Sequence, residues 1–212
     1  MVISESTLSK TWITNRIKVT ALFFLSGLLS GLASGWLSST ARLRSFLYIK
    51  GDKFLIPTYK FWTVFALVFS AALIAAYLLS RVLGWLTISP SVARQLLALL
   101  VVVASPILLH ISTRSDFFLR VDVLIAPLYY VAFLPLAMCV ITARLRLLAL
   151  GILQNIFVFI AAVIVMYVVF SLIDGAQAVY ASVQTGIVES FFAAAFGSWL
   201  TWTPTRFYER TA

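Results

Sequence analysis

The segment from residue 147 to residue 172 carries no charged side chain and reads LLALGILQNIFVFIAAVIVMYVVFSL. A helix needs about 20 predominantly apolar residues to cross the hydrocarbon core of a bilayer. This segment is long enough, so it predicts a membrane-spanning helix. Five other apolar segments resemble it, and the six predicted spans are residues 19–38, 61–80, 94–111, 121–142, 147–172 and 186–202.

The composition supports a membrane protein. Of the 212 residues, 62% are hydrophobic and 11% are charged, whereas soluble domains have about 25% charged residues. We therefore predict an all-α, polytopic integral membrane protein with about six transmembrane helices. We expect one transmembrane domain over residues 19–203, a polar N-terminal arm over residues 1–18 and a short polar tail over residues 204–212.

The excess of positive charge, +9, is scattered over short connections between the predicted spans. Such a distribution is typical of membrane topology signals and of contact with anionic headgroups. No nucleic-acid reader motif accompanies it, so the expected partner is the lipid bilayer and not a nucleic acid. No signal or transit peptide is evident, and we expect a bacterial inner (plasma) membrane.

The distribution of the basic residues over the two membrane faces favours one orientation only weakly. With six spans, the face that holds both termini carries nine basic residues and the opposite face carries seven. Basic residues are enriched on the cytoplasmic face. We therefore expect both termini to be cytoplasmic.

The longest predicted connection, residues 39–60, mixes basic and bulky apolar side chains. This mixture suits a segment that lies on the membrane surface, although an ordinary solvated loop would also fit. Gly51 and Asp52 predict a turn, which leaves a short hairpin or an interfacial helix as alternatives. The basic residues of this predicted membrane-surface loop are Arg42, Arg44, Lys50, Lys53 and Lys60.

A Ser-Gly repeat marks the first predicted span, SGLLSGLASGWLS. Gly27, Gly31 and Gly35 recur every four residues and therefore share one helix face. Small residues let two membrane helices approach closely, which matters because the lipid supplies no hydrophobic force between helices. We predict a helix-packing groove formed by these glycines together with Ser30 and Ser34.

Two kinds of partner would fit the groove. It could receive another span of the same chain, and the sixth segment offers a complementary strip of small residues: Ala178, Ser182, Gly186 and Ser190. Alternatively, the groove could receive another copy of the chain or another membrane subunit.

Glu189 is the main ionisable residue within a predicted span. Such residues are energetically costly in a membrane and often functional. The carboxyl group could bind a proton or a cation, or pair with an arginine. A second interpretation places it near a span end, in contact with water or with an arginine from a loop.

Other polar groups give weaker signals. Gln154 and Asn155 in the fifth span are candidates for hydrogen bonds across helices. His110 and Cys139 are the only residues of their kinds, so neither a two-histidine site nor an internal disulfide is expected. Motifs of hydrolases and phosphate-binding loops are missing. We therefore expect no enzyme, no cofactor and no metal.

Two functional hypotheses remain. The first is a non-catalytic membrane subunit or assembly factor of a larger complex, with other membrane subunits or copies of itself as partners. The alternative is a small homo-oligomeric channel or transporter, with Glu189 in the permeation or coupling site.

Overall fold

The computed structural model describes the backbone of residues 5–40, 48–50, 55–57, 59–86, 90–112, 128–172 and 177–202. Six α-helices account for most of these residues: α1 (Glu5–Ser39), α2 (Tyr59–Val82), α3 (Val92–Ser112), α4 (Leu134–Thr142), α5 (Leu148–Leu172) and α6 (Gln177–Thr201). A π-helical turn, Tyr129–Phe133, leads into α4, and a 3-10 turn, Leu145–Leu147, leads into α5. The prediction of a helical protein is therefore confirmed, with one short hairpin added.

That hairpin lies in the predicted membrane-surface loop. Strands β1 (Tyr48–Lys50) and β2 (Leu55–Pro57) pair antiparallel, as one of the two alternatives for this segment predicted. Lys50 belongs to β1 and Lys60 to α2. Three of the predicted loop residues, Arg42, Arg44 and Lys53, lie outside the described residues, as does the predicted tail.

Within the described part of the chain, three helices are long and apolar enough to cross a membrane: residues Trp12–Ser38, Val64–Val82 and Leu145–Leu172. Two shorter apolar helices cover Val92–Ser105 and Tyr129–Thr142. The chain is therefore built to associate with a membrane. Residues 113–127, where the fourth span was predicted to begin, lie outside the described residues.

Two helices extend beyond their predicted spans. Helix α1 begins at Glu5 and so includes most of the predicted polar arm. No Gly or Pro interrupts this stretch, and its side chains reach α6: the Trp12 indole donates to the Thr201 carbonyl and the Arg16 guanidinium to the Ser198 hydroxyl. Helix α6 begins at Gln177, well before the predicted start at residue 186.

Helices α1 and α6 form the most extensive helix pair and run antiparallel. The glycine groove of α1 faces α6. A Cβ atom added at Gly31 would meet the Thr185 carbonyl carbon at 2.5 Å and the Gly186 Cα at 2.6 Å. One added at Gly27 would meet the backbone of Glu189 and the Cβ of Ala193 at 2.7 Å. Only glycine at positions 27 and 31 permits this short distance between the two helix backbones, because atoms of α6 occupy the space that a side chain would need.

The partner strip differs in part from the predicted one. Gly186 belongs to it, while Thr185, Glu189 and Ala193 supply the other contacts with the two glycines. Further along the pair the roles reverse, since Phe23 of α1 covers Gly197 of α6. The Phe23 ring also stacks on Phe196, with 5.9 Å between ring centroids. The groove is therefore filled by the chain's own last helix.

One end of the helix array is rich in tryptophan and basic residues. Here Lys18 lies over the Trp85 ring, and Arg144 lies over the Trp202 ring and also donates to the Trp202 carbonyl. These contacts join the beginning of α1, the segment after α2, the segment after α4 and the end of α6. Tryptophan rings with cations are typical of the headgroup level of a bilayer.

We expect Gly31→Ala to destabilise the protein, because its Cβ would overlap backbone atoms that cannot rotate away. Overpacking of this kind costs about 1–3 kcal/mol. Gly186→Ala is the matched control, since its Cβ would meet only the flexible ends of Leu28 and Leu32, at 3.2–3.3 Å. Thermal unfolding in detergent measures both. Equal melting temperatures for the two variants would contradict the close contact of α1 with α6.

Candidate functional site

Glu189 lies in the middle of α6 and is fully buried, with 0% of its surface exposed. The interpretation that placed it near a span end, in contact with water, is therefore wrong. Helix α6 is longer than predicted, which moves Glu189 away from the helix end. Its side chain is enclosed by α1 and by the π-helical turn before α4.

Ser30 of α1 holds one oxygen of this carboxyl group. Its hydroxyl donates to Glu189 Oε2, and Ser30 itself is 5% exposed. Gly27 and Gly31 flank Ser30 along the helix, and both face α6 without a side chain. The glycines thus allow the approach that brings a short serine side chain within reach of the carboxyl group.

The other carboxyl oxygen, Glu189 Oε1, has no hydrogen-bond partner among the described residues. Tyr129 and Tyr130 lie in the same part of the fold, because Tyr130 stacks on Phe192, three residues after Glu189 in α6, and Tyr129 contacts Tyr130. Both tyrosines are buried, and both of their hydroxyl groups also lack a partner in the described part of the chain. Three unpartnered polar atoms are therefore enclosed in one region.

Aromatic packing holds the two tyrosines in place. Tyr130 stacks on Phe192 of α6 with 4.3 Å between ring centroids, and Phe192 is one helical turn from Glu189. Tyr129 and Tyr130 contact each other at 5.0 Å. Phe65 and Phe69 of α2 also contact both phenol rings in T-shaped arrangements, with 6.0–6.5 Å between ring centroids.

The π-helical turn puts the two tyrosines next to each other at this site. The N–H of Leu134 bonds to the carbonyl of Tyr129, five residues earlier, and Pro135 follows immediately. Proline removes one backbone donor, which favours such a local widening. Single π-helical turns occur frequently at functional sites.

Asn155 of α5 extends the polar region. It is 0% exposed, and its Nδ2 donates to the Tyr130 carbonyl at 2.7 Å. Its Oδ1 has no partner among the described residues. The prediction that Asn155 bonds across helices is confirmed, and Gln154 likewise donates to the Ala195 carbonyl at 3.4 Å. Buried polar groups thus extend from α1 through α6 and the π-helical turn to α5.

The other predicted residues lie outside this cluster. Gly35 is buried in α1, and the buried hydroxyl of Ser34 lacks a partner among the described residues. His110 lies in α3, and Cys139 is a buried free thiol in α4. In the described ranges, no group of three or more His, Cys, Asp or Glu side chains is placed to hold a metal ion.

Tyr129 and Tyr130 were not among the residues predicted from the sequence. The available signal was a pair of phenol groups, followed by Pro135, inside an otherwise apolar segment. Their proximity to Glu189 depends on how α4 packs on α6, which no local pattern specifies.

Comparisons with protein-family models, with curated proteins and with solved structures found no significant match.

We expect Ser30→Ala to lower stability, because it removes a bond to a buried carboxyl group. Leaving a buried polar atom unsatisfied costs about 1–3 kcal/mol. Ser34→Ala is the matched control one turn further along α1, since the Ser34 hydroxyl has no partner among the described residues. We expect that control to be neutral or stabilising. If both variants unfold at the wild-type temperature in detergent, the Ser30–Glu189 bond contributes nothing.

Proposed function

We propose that this chain is a small, non-catalytic proton-translocating membrane protein in which Glu189 takes up and releases the proton. The observation that carries the proposal is the buried carboxyl group, with one oxygen bonded to Ser30 and the other without a partner among the described residues. Buried unsatisfied polar atoms are rare in native proteins, and several in one place call for an explanation.

The surroundings of Glu189 favour a proton over a larger ion. The carboxyl group is fully buried, so a cation would have to give up its water shell to reach it. A metal ion such as Ca²⁺ takes six to eight oxygen ligands, whereas this site offers one carboxyl group and a few hydroxyls. A lone buried carboxylate is costly, and neutralisation by a proton removes that cost.

The neighbouring hydroxyl groups supply the chemistry of transfer. A tyrosine or serine hydroxyl both donates and accepts, so it can pass a proton to a carboxylate or take one from a carboxylic acid. Tyr129 and Tyr130 lie at the π-helical turn, and Ser30 lies on α1. Proton relays in membrane proteins are built from such buried acidic and polar groups.

We further propose that the chain crosses the bilayer six times, over the six spans predicted from the sequence, with both termini on the cytoplasmic side. The contacts at the tryptophan-rich end support this arrangement, because they join the beginning of α1, the ends of α2 and α4 and the end of α6 on one face. Basic residues on that face include Arg16, Lys18 and Arg144. Placement in a bacterial inner membrane stays a prediction.

The test is proton entry into liposomes that contain the purified protein, driven by a potassium diffusion potential and followed with a trapped pH-sensitive dye. We expect wild-type liposomes to acidify faster than empty ones. Glu189→Gln should return the rate to that of empty liposomes, because the amide cannot carry the proton.

Glutamine has nearly the same shape as glutamate, and its carbonyl oxygen still accepts from Ser30. Glu189→Gln should therefore keep the wild-type elution profile in detergent, which separates loss of transport from loss of fold. Glu189→Asp, which retains a carboxyl group, should keep part of the activity. If wild-type and Glu189→Gln liposomes acidify equally, or if neither exceeds empty liposomes, the proposal is wrong.

One observation favours a second candidate, a subunit or assembly factor of a larger membrane complex. Only 11% of the apolar span of α5 is buried within the chain, against 33% for α1 and 44% for α2. Its exposed residues include Tyr167 and Leu172, each 79% exposed. An uncovered helix of this kind could pack against a partner subunit as well as against lipid.

Native mass spectrometry of the gently extracted protein distinguishes the two candidates. The proton-translocation proposal predicts the chain alone, as a monomer or as a homo-oligomer. Other polypeptides in a fixed ratio to the chain would favour the subunit hypothesis. The glycine groove adds no support to that hypothesis, because α6 already fills it.

A further inference from the structure

A cavity of about 200 Å³ lies between α2, α3 and α4, away from Glu189. Its walls are mainly apolar and include Leu73 and Tyr77 of α2, Ala98 and Val102 of α3, and Ile141 of α4. The cavity is partly open to the outside of the helix array. In a bilayer its mouth therefore faces lipid chains.

Tyr77 gives the cavity a polar group without a partner. Its side chain is 7% exposed, and its hydroxyl has no hydrogen-bond partner among the described residues. The two other polar lining residues differ in this respect. The Ser70 hydroxyl donates to the Ala66 carbonyl, and the Gln95 amide donates to the Pro90 carbonyl.

Two exposed arginines lie at one end of the cavity. Arg81 is one helical turn beyond Tyr77 on α2, and its guanidinium lies 6.0 Å from the centre of the Tyr77 ring. Arg94 is one turn before Ala98 on α3. Residues four apart share a helix face, so both arginines continue the faces that line the cavity. They lie near the ends of α2 and α3, where the chain leaves the apolar part of each helix.

We infer that this cavity binds a phospholipid with an anionic headgroup. One acyl chain occupies the apolar cavity, and Arg81 and Arg94 contact the phosphate. An α-helix of a partner, about 10 Å across, is too wide for this space. A basic pocket between transmembrane helices is the kind of surface that recognises anionic lipid headgroups.

The binding test uses native mass spectrometry and thermal unfolding of delipidated protein in detergent. Phosphatidylglycerol is the anionic probe, and phosphatidylcholine with the same acyl chains is the neutral comparison. We expect one phosphatidylglycerol to remain bound and to raise the melting temperature. Phosphatidylcholine should bind about 25-fold more weakly, because two near-surface basic residues contribute about a factor of five each. Inorganic phosphate should have no effect, because it lacks the acyl chain.

Variants localise the binding. Arg81→Gln/Arg94→Gln should abolish the preference for phosphatidylglycerol, while Arg146→Gln, an exposed arginine away from the cavity, should not. Ala98→Phe fills the cavity and should remove bound lipid, while Leu97→Phe, on the exposed side of α3, should not. The double arginine variant changes only exposed side chains, so its result stands even if Ala98→Phe fails to fold. Equal binding of the two lipids, or an unchanged preference in the double variant, would overturn the inference.

Discussion

The close approach of α1 and α6 determines the rest of this structure. In lipid, two helices associate through van der Waals contact and hydrogen bonds, and small residues permit the closest contact. Gly27 and Gly31 leave room for the backbone of α6, and this separation lets the Ser30 hydroxyl reach the Glu189 carboxyl group. A larger residue at either glycine would separate the helices and break the bond. The packing interface and the candidate site are therefore parts of one arrangement.

The remaining helices complete the enclosure around Glu189. Phe192 of α6 stacks on Tyr130. Phe65 and Phe69 of α2 contact both Tyr130 and its neighbour Tyr129. Asn155 of α5 bonds to the backbone of the π-helical turn. Aromatic rings thus exclude water from a region that also contains a carboxyl group, two phenol groups and an amide. A polar group in such surroundings interacts strongly with its neighbours, because little solvent screens it.

The sequence predicted features that depend on local pattern. The length of the apolar segments predicted where helices lie. The recurrence of small residues every four positions predicted the glycine face of α1 and one of its contacts, Gly186. Gly51-Asp52 predicted a turn, and a short hairpin, which the structure contains, was one of the two alternatives for its flanks. The amide pair in the fifth span predicted the bond from Asn155. The membrane-surface role of this loop stays a prediction. Three of its basic residues, Arg42, Arg44 and Lys53, lie outside the described residues.

The features that could not be predicted from the sequence depend on tertiary packing. The span-end interpretation of Glu189 failed because the start of α6 was set too late, at residue 186. Tyr129 and Tyr130 were missed because their role arises from how α4 meets α6 and α2, and because Pro135 alone does not specify a π-helical turn. The cavity between α2 and α3 likewise exists only once the helices are packed.

The most direct test of this account is infrared difference spectroscopy of the Glu189 carboxyl group in lipid membranes as the pH is stepped. The account predicts a carboxylic-acid C=O band that changes with pH and is missing in Glu189→Gln. It also predicts that Ser30→Ala shifts this band, because Ser30 donates to the same group. A spectrum in which Glu189→Gln removes no pH-dependent band would contradict the claim that Glu189 takes up and releases a proton.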